Sequence, residues 1–347
     1  MLAALPIYTS SCRAESADVH VFYYTFSDPY ISNVRSELGK QLTSAGIKYQ
    51  DHDANGSQTT QTEQIQTAIT NGAKAIIVNI VNTGSDDAAK SIVNLAKNAG
   101  IPVIFFNREI SSLVIKSYNK CAFVGTDAKE AGVLQGEIIG NYVKDNFKSL
   151  DINGDGVISY ILFKGEEGNN EAILRTQYSV SEANRILKEN GLPALRFYDP
   201  SNSNKYLVDK NGQWSASAAN EYMTTALTSY NESRGNMIEL VICNNDGMAE
   251  GAISALNSAG YNLGKSGSRQ IPVFGVDATE AATDLIRKNK MTGTVKQDAA
   301  GMAKAVAKIT SNSLTEGKKL SEGLEEYAMD FGVLKIRIPY SAYLGEG

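Results

Sequence analysis

The segment Asp151-Ile152-Asn153-Gly154-Asp155-Gly156-Val157-Ile158-Ser159 sets oxygen-bearing residues at alternate positions. A hard cation such as Ca2+ takes roughly six to eight oxygens, and an EF-type loop supplies them at this spacing. Asp151, Asn153 and Asp155 fit the first, third and fifth positions. Val157 offers its carbonyl at the seventh and Ser159 its hydroxyl at the ninth, while Gly156 allows the sharp turn. The twelfth position, where a bidentate Glu belongs, holds Leu162. A carboxylate from elsewhere must therefore complete the shell. The bland alternative is an Asn/Gly turn between two elements, which leaves so many matching positions unexplained.

Other chemistries find little support. The chain has two histidines. His20 opens a strand pattern, and His52 in Asp51-His52-Asp53 is expected in a solvated loop, without metal-ligand spacing. No Gly-x-Ser-x-Gly nucleophile elbow occurs. Gly264-Lys265-Ser266 resembles the end of a phosphate loop, but Ala259 stands where the earlier glycine is required. No Gly-x-Gly-x-x-Gly follows the first strand. The net charge of −5 and the lack of a Lys/Arg run argue against a nucleic-acid partner.

These residues sit in a chain of 347, long enough for about two domains of ordinary size. Hydrophobic residues make up 42% and charged residues 20%, which supports a core and a soluble surface together. Short apolar runs alternate with amphipathic stretches such as 31–45 and 86–99, the pattern of a parallel sheet with crossover helices. The clearest strands are 20–24, 75–80, 102–106, 158–163, 240–243 and 272–276. Most are apolar throughout, as strands covered on both faces are.

The halves echo each other. The run AIIVNI, a helix and GIPVIFFN recur as LVICNN, a helix and QIPVFGVD. Ligands of open parallel sheets sit beyond the carboxyl ends of the strands. Asp28, Asn107, Asn245 and Asp277 occupy such ends and point to one crevice if two lobes face each other. Asp28 also precedes Pro29, which suits an N-cap. Arg175 stands four residues after Glu171, so a surface ion pair competes with a site role.

Cys243 falls in an apolar strand and reads as a small buried hydrophobe. Cys12 follows MLAALPIYTSS and resembles the acylated residue of a lipoprotein signal, although no basic n-region precedes it. A ragged N-terminus is the competing reading, and residues 1–17 stand outside the fold argument.

A calcium loop running into a strand, inside a two-lobed α/β chain, resembles the periplasmic galactose/glucose-binding proteins, type I sugar-binding components of ABC transporters. The resemblance spans about residues 18–340. Its patches are FFNRE (105–109), VGTDAKEAG (124–132), LFKGEEG (162–168), NNDGMA (244–249), PVFGVDA (272–278) and IRIPY (336–340). It implies an α/β fold of two Rossmann-like lobes with parallel sheets and a three-crossing hinge, the periplasmic binding protein type I fold. One lobe would hold residues 18–126 and 298–335, the other 127–297 and 336–347. The crossings are expected near Thr126, Gln297 and Lys335, with IRIPY returning to the second lobe.

Carried across by position, the resemblance implies a sugar site of Asp28, Tyr30, Asn107, Arg175, Trp214, Asn245 and Asp277. Asn169, Glu171 and Gln297 join it as departures, standing where the family has histidine, aspartate and asparagine. Tyr30 likewise replaces a phenylalanine. The calcium shell would be Asp151, Asn153, Asp155, Val157, Ser159 and Glu239. Asp, Asn and Arg side chains can each hold two hydroxyls of a pyranose, and Tyr30 and Trp214 would cover its apolar faces.

The implied function is binding of a galactose- or glucose-like hexose by hinge closure and delivery to a permease, with no reaction catalysed. Another monosaccharide, such as a pentose, is the alternative. A sugar-responsive regulator would need a helix-turn-helix, and the N-terminus has none. A glycosidase would need two carboxylates flanking a bond, and a site enclosing one small sugar leaves no room for an aglycone. The expected location is extracytoplasmic, periplasm or cell surface, with a lipid anchor at Cys12. The chain is expected to be a monomer. Some relatives also engage chemoreceptors, a partner the sequence leaves open.

Overall fold

A computed structural model describes residues 17–345. The expected acylation at Cys12 lies outside the described residues. The first lobe runs β1 (Val19–Tyr23), α1 (Pro29–Ser44), β2 (Tyr49–Asp53), α2 (Gln58–Thr70), β3 (Ala75–Val78), α3 (Asp87–Ala99), β4 (Val103–Phe106), α4 (Ser112–Lys116) and β5 (Cys121–Gly125). The chain then builds the second lobe with α5 (Ala128–Leu150), β6 (Ser159–Lys164), α6 (Asn170–Glu189), β7 (Arg196–Phe197), β8 (Leu207–Val208) and α7 (Ala216–Ser229). It continues with β9 (Leu240–Cys243), α8 (Asp246–Ser258), β10 (Val273–Asp277), α9 (Glu280–Arg287) and β11 (Gly293–Gln297). It returns to the first lobe through α10 (Ala299–Ser313), β12 (Ala328–Met329) and β13 (Lys335–Arg337), and ends in the second with β14 (Tyr340–Tyr343).

The strand order is β12-β13-β5-β4-β3-β1-β2 in one sheet and β14-β11-β10-β9-β6-β7 in the other, where β8 also pairs with β6. All pairings are parallel except β12 with β13 and β11 with β14. The continuous apolar runs follow from this layout. Residues of α1 and α10 bury one face of the first sheet, and those of α2 and α3 the other. Those of α7 and α8 cover one face of the second sheet, and those of α5 and α6 the other. Each inner strand is thus dry on both sides.

The third crossing differs from expectation. Ile336 and Arg337 pair with Val124 and Gly125 of the first sheet, and Tyr340 opens the strand of the second. The passage between lobes falls at Ile338-Pro339, so IRIPY is divided rather than returned whole. Proline has no N–H to continue a ladder, which ends β13 just before it. The histidine expectation also fails. His52 lies in β2, and its Nε2 is 2.9 Å from His20 Nδ1 on the adjacent strand. An edge strand of mostly polar residues reads as a loop, because only its neighbours reveal the pairing. Burial pushes His52 down to about 4 and lowers His20 as well.

Two features of the frame place the site. Helices begin where strands end, so N-caps crowd the carboxyl edges of both sheets. Asp28, Asn169 and Asn245 cap α1, α6 and α8 by accepting the N–H of Ile31, Ala172 and Met248. Helix α5 lies close against α6 along Gly132 and Gly136. A Cβ there would stand 2.7 Å from the Leu174 carbonyl and 2.6 Å from Glu182 Cβ. That close approach sets the height of α6, which carries Glu171 and Arg175.

Candidate functional site

Strand ends and helix starts of both lobes line one cavity of about 370 Å3. Tyr24, Asp28, Tyr30, Asn107 and Arg108 come from the first lobe. Asn169, Glu171, Arg175, Trp214, Asn245, Asp277 and Gln297 come from the second. All ten residues named from the sequence are therefore brought together. Tyr24 and Arg108 were missed. The one signal for Arg108 was its place directly after Asn107.

Arg175 is the centre of the polar network. It is 3% exposed. Its Nη1 donates to the Asn244 carbonyl at 2.9 Å, and its Nη2 to Tyr340 Oη at 2.9 Å and Gln297 Oε1 at 3.1 Å. No ion pair to Glu171 forms, so the surface reading of this i,i+4 spacing is wrong. Burial alone would lower the guanidinium pKa, but Tyr340, Asp277 and Glu171 outweigh it and raise it. Asp277 is pushed well above the ordinary carboxylate range by burial. Arg175 opposes this, while Asp246 and Asp28 add to it. Burial also raises Glu171.

The lining backbone is strained. Asn107, Trp214, Asp277 and Ala278 have φ of 62°, 55°, 129° and 54°. Such conformations cost about 1–3 kcal/mol each, and persist where surrounding bonds over-determine them. Asn79 Nδ2 donates to Asn107 Oδ1 at 3.2 Å. Asn245 Nδ2 donates to the Trp214 carbonyl at 3.2 Å. Asp246, missed in the sequence, accepts the Thr279 N–H at 2.8 Å and the Thr294 hydroxyl at 2.7 Å. It thereby holds the turn that presents Asp277. Burial pushes Asp246 up to about 7.

Polar atoms without partners cluster here. Glu171 Oε2, Arg175 Nε, Trp214 Nε1, Gln297 Nε2 and Arg108 Nε are buried and make no hydrogen bond. A buried unpaired polar group costs about 1–3 kcal/mol, so five around one cavity call for a ligand rich in donors and acceptors. Aromatic walls stand beside them. The Tyr30 hydroxyl turns to Met302 Sδ at 3.8 Å, which leaves its ring for the cavity. Trp214 lies over Gly165, where a Cβ would stand 2.1 Å from indole Cδ2. The lobes meet over the cavity, with Arg108 Nη2 2.6 Å from Glu166 Oε2. The enclosed arrangement can hold a small polar solute and sequester it.

A model of the periplasmic binding protein domain matches residues 19–319. The chain belongs to the periplasmic binding protein family. This periplasmic binding protein is 35% identical over 332 residues to the D-galactose/methyl-galactoside binding periplasmic protein MglB of Haemophilus influenzae, covering 95% of this chain and 90% of that one. It is 29% identical over 324 residues to a putative rhizopine-binding protein of Rhizobium meliloti, covering 93% and 89%. Among solved structures, it resembles an ABC transporter solute binding protein of Clostridium phytofermentans with bound β-D-glucose. The TM-score is 0.72 at 21% identity, with 94% and 93% of the chains covered. A Bacillus halodurans solute binding protein with bound myo-inositol matches at TM-score 0.71 and 24% identity, covering 95% and 96%. These two structures show the shared fold. The family acts outside the cytoplasm, and among the described residues no helix is long and apolar enough to cross a membrane.

The periplasmic binding protein keeps its oxygen-rich loop away from the cavity, between α5 and β6. Asp151 Oδ2 accepts the Gly156 N–H, Asn153 Oδ1 that of Asp155, and Asp155 Oδ1 that of Val157, each at 3.0 Å. These bonds curl the loop on itself. Asp151 Oδ1 is left buried and without a partner. Glu239 does reach the loop. Its carboxylate accepts the N–H groups of Ile152 at 2.7 Å and Ser159 at 2.9 Å. Yet among the described residues no three His, Cys, Asp or Glu side chains are placed to hold a metal ion as they stand. Asp155 pairs with Arg196 instead. Ser159 donates its hydroxyl to the Met237 carbonyl at 2.5 Å. The all-oxygen donor set and the orphaned Asp151 oxygen are of the kind that suits a hard cation, which Asp151, Asn153, Asp155, the Val157 carbonyl, Ser159 and Glu239 would hold. While it donates to Met237, Ser159 Oγ stays 3.3 Å from Glu239 Oε2.

Proposed function

We propose that this chain is the solute receptor of a sugar ABC transporter. It closes its lobes on one monosaccharide, a galactose- or glucose-like hexose, and delivers it to the permease without catalysing a reaction. The observation that carries this reading is the set of five unpartnered polar atoms on residues that line one cavity together with the aromatic Tyr30 and Trp214. Four are donors and one is a carboxylate oxygen, which suits a ring of hydroxyls that donate and accept in turn. Tyr30 and Trp214 suit the C–H faces. The named ligand of the MglB relative supports the class. The myo-inositol-bound neighbour keeps a cyclitol as the second reading. Calorimetric titration with D-galactose, D-glucose, D-xylose and myo-inositol tests it. Saturable binding of a hexose, recovered unchanged afterwards, is expected. No heat with either hexose, or conversion of the sugar, ends this reading.

The loop at Asp151 is proposed as a structural Ca2+ site, where the ion supplies a positive centre that ties the loop to Glu239. A ligand bound only by the folded state stabilises by mass action, about 2.7 kcal/mol at a hundred times its Kd. EDTA should lower the melting temperature by several degrees, and Asp151→Ala should do the same without EDTA. A melting temperature indifferent to EDTA and to added Ca2+ would remove the ion from the description. Acylation of Cys12 belongs to the same proposal and rests on the small-residue segment before it.

A further inference from the structure

Two cavity residues from opposite lobes each cross the cleft. Arg108, from the end of β4, is 5% exposed. Its Nη2 donates to the Val81 carbonyl at 2.8 Å in its own lobe and to Glu166 Oε2 at 2.6 Å in the other. Its guanidinium lies 4.4 Å from the centre of the Tyr24 ring. Glu171 of α6 answers in the reverse direction. Its Oε1 accepts the backbone N–H of Glu109 at 3.1 Å. Glu109 is a firm base for that bond, because Lys335 and Arg337 each hold its carboxylate at 2.7 Å. Arg108 and Glu171, which both line the cavity, also keep one atom each, Nε and Oε2, buried without a partner.

Each side chain therefore has one end bonded across the cleft and, on a residue that lines the cavity, a second polar atom without a partner. Bonds across the cleft exist only when the lobes are closed. A ligand that satisfies Nε and Oε2 holds both side chains in the posture that makes those bonds. Resting on the proposed sugar receptor, we propose that Arg108 and Glu171 form a reciprocal clasp, positioning residues that couple ligand contact to lobe closure. Arg175 has no such role, since its partners Asn244, Gln297 and Tyr340 lie in its own lobe and at the crossings.

Glu166 does not itself line the cavity, and its Oε2 accepts from Arg108 at 2.6 Å and from Asn169 Nδ2 at 3.2 Å. Glu166→Gln removes the charge that Arg108 grips, and Glu171→Asp shortens the other arm. Stopped-flow fluorescence of Trp214 with D-galactose and D-glucose should show dissociation about 10-fold faster in each variant. For Glu166→Gln, association should change less than 3-fold. A merely structural Glu166 would lower the melting temperature and leave dissociation unchanged, which overturns the clasp.

A second arm needs no sugar affinity. Leu113→Cys and Ile173→Cys, both at exposed positions on opposite lobes, accept spin labels in a Cys12→Ser chain, with Cys121 and Cys243 buried. Pulsed electron resonance should show a closed-distance population that shrinks with Glu166→Gln and Glu171→Asp. Distributions that match the unmutated pair, or no closed population with or without sugar, overturn the proposal. Failure of both sugars to bind while the distances still respond rejects the sugar assignment and leaves the clasp standing.

Discussion

Arg175→Met is expected to weaken binding of D-galactose or D-glucose by roughly 30-fold or more. Truncating one partner of a buried, hydrogen-bonded charge network costs about 2–5 kcal/mol, much of it from charges left unpaired. Here Asp277 and Glu171, both raised by burial, would also lose the positive charge that opposes that shift. Gln297 Oε1 and the Asn244 carbonyl would each lose a donor. At about 1.4 kcal/mol per decade, the lower bound alone exceeds an order of magnitude. Arg175→Lys should fall between the two, because an ammonium cannot match the planar fork that meets three acceptors here. Calorimetry on folded protein, with circular dichroism as the folding control, decides the matter. Affinity within 3-fold of the unmutated chain would remove Arg175 from the site.

Trp214→Ala should weaken monosaccharide binding by about 10-fold or more. An indole on a pyranose face contributes apolar burial of about 1–3 kcal/mol, or roughly 5- to 150-fold in affinity. The chain has one tryptophan, so the fluorescence of the unmutated protein should report sugar without ambiguity. Gly165→Ala approaches the same wall from behind. Its Cβ would stand 2.1 Å from the indole, so the ring must leave the position it holds in the cavity wall. Loss of affinity in both variants assigns Trp214 to the ligand. A flat fluorescence titration together with unchanged affinity in Trp214→Ala assigns it to the core instead, and the melting temperature then carries the whole effect.

Much of this was local enough to read from the chain. Runs such as Ala75–Val78 and Leu240–Cys243 are apolar at every position because parallel strands are buried on both faces. Asp28 announced itself through Pro29, and the structure shows it as the N-cap of α1 and part of the cavity at once. Strand ends carry the ligand face of such sheets, so polar residues there were candidates from their position alone.

The tertiary structure decided whatever depends on partners far away in sequence. Spacing left Arg175 undecided between Glu171 and the crevice; its acceptors lie 69, 122 and 165 residues away. Arg108 looked like one more residue after a strand until the other lobe brought Glu166 to it. His52 read as a loop residue because its pairing partner, His20, belongs to another strand. The division of IRIPY was hidden because Ile336 and Tyr340 look alike as strand residues, and only the two neighbouring sheets assign them to different lobes. Ser159 fits a loop position by spacing, and only the fold reveals that its hydroxyl donates to the Met237 carbonyl. Periodicity and capping are properties of neighbours along the chain. Closure, pairing and the direction of a side chain are settled by groups that the fold brings from elsewhere.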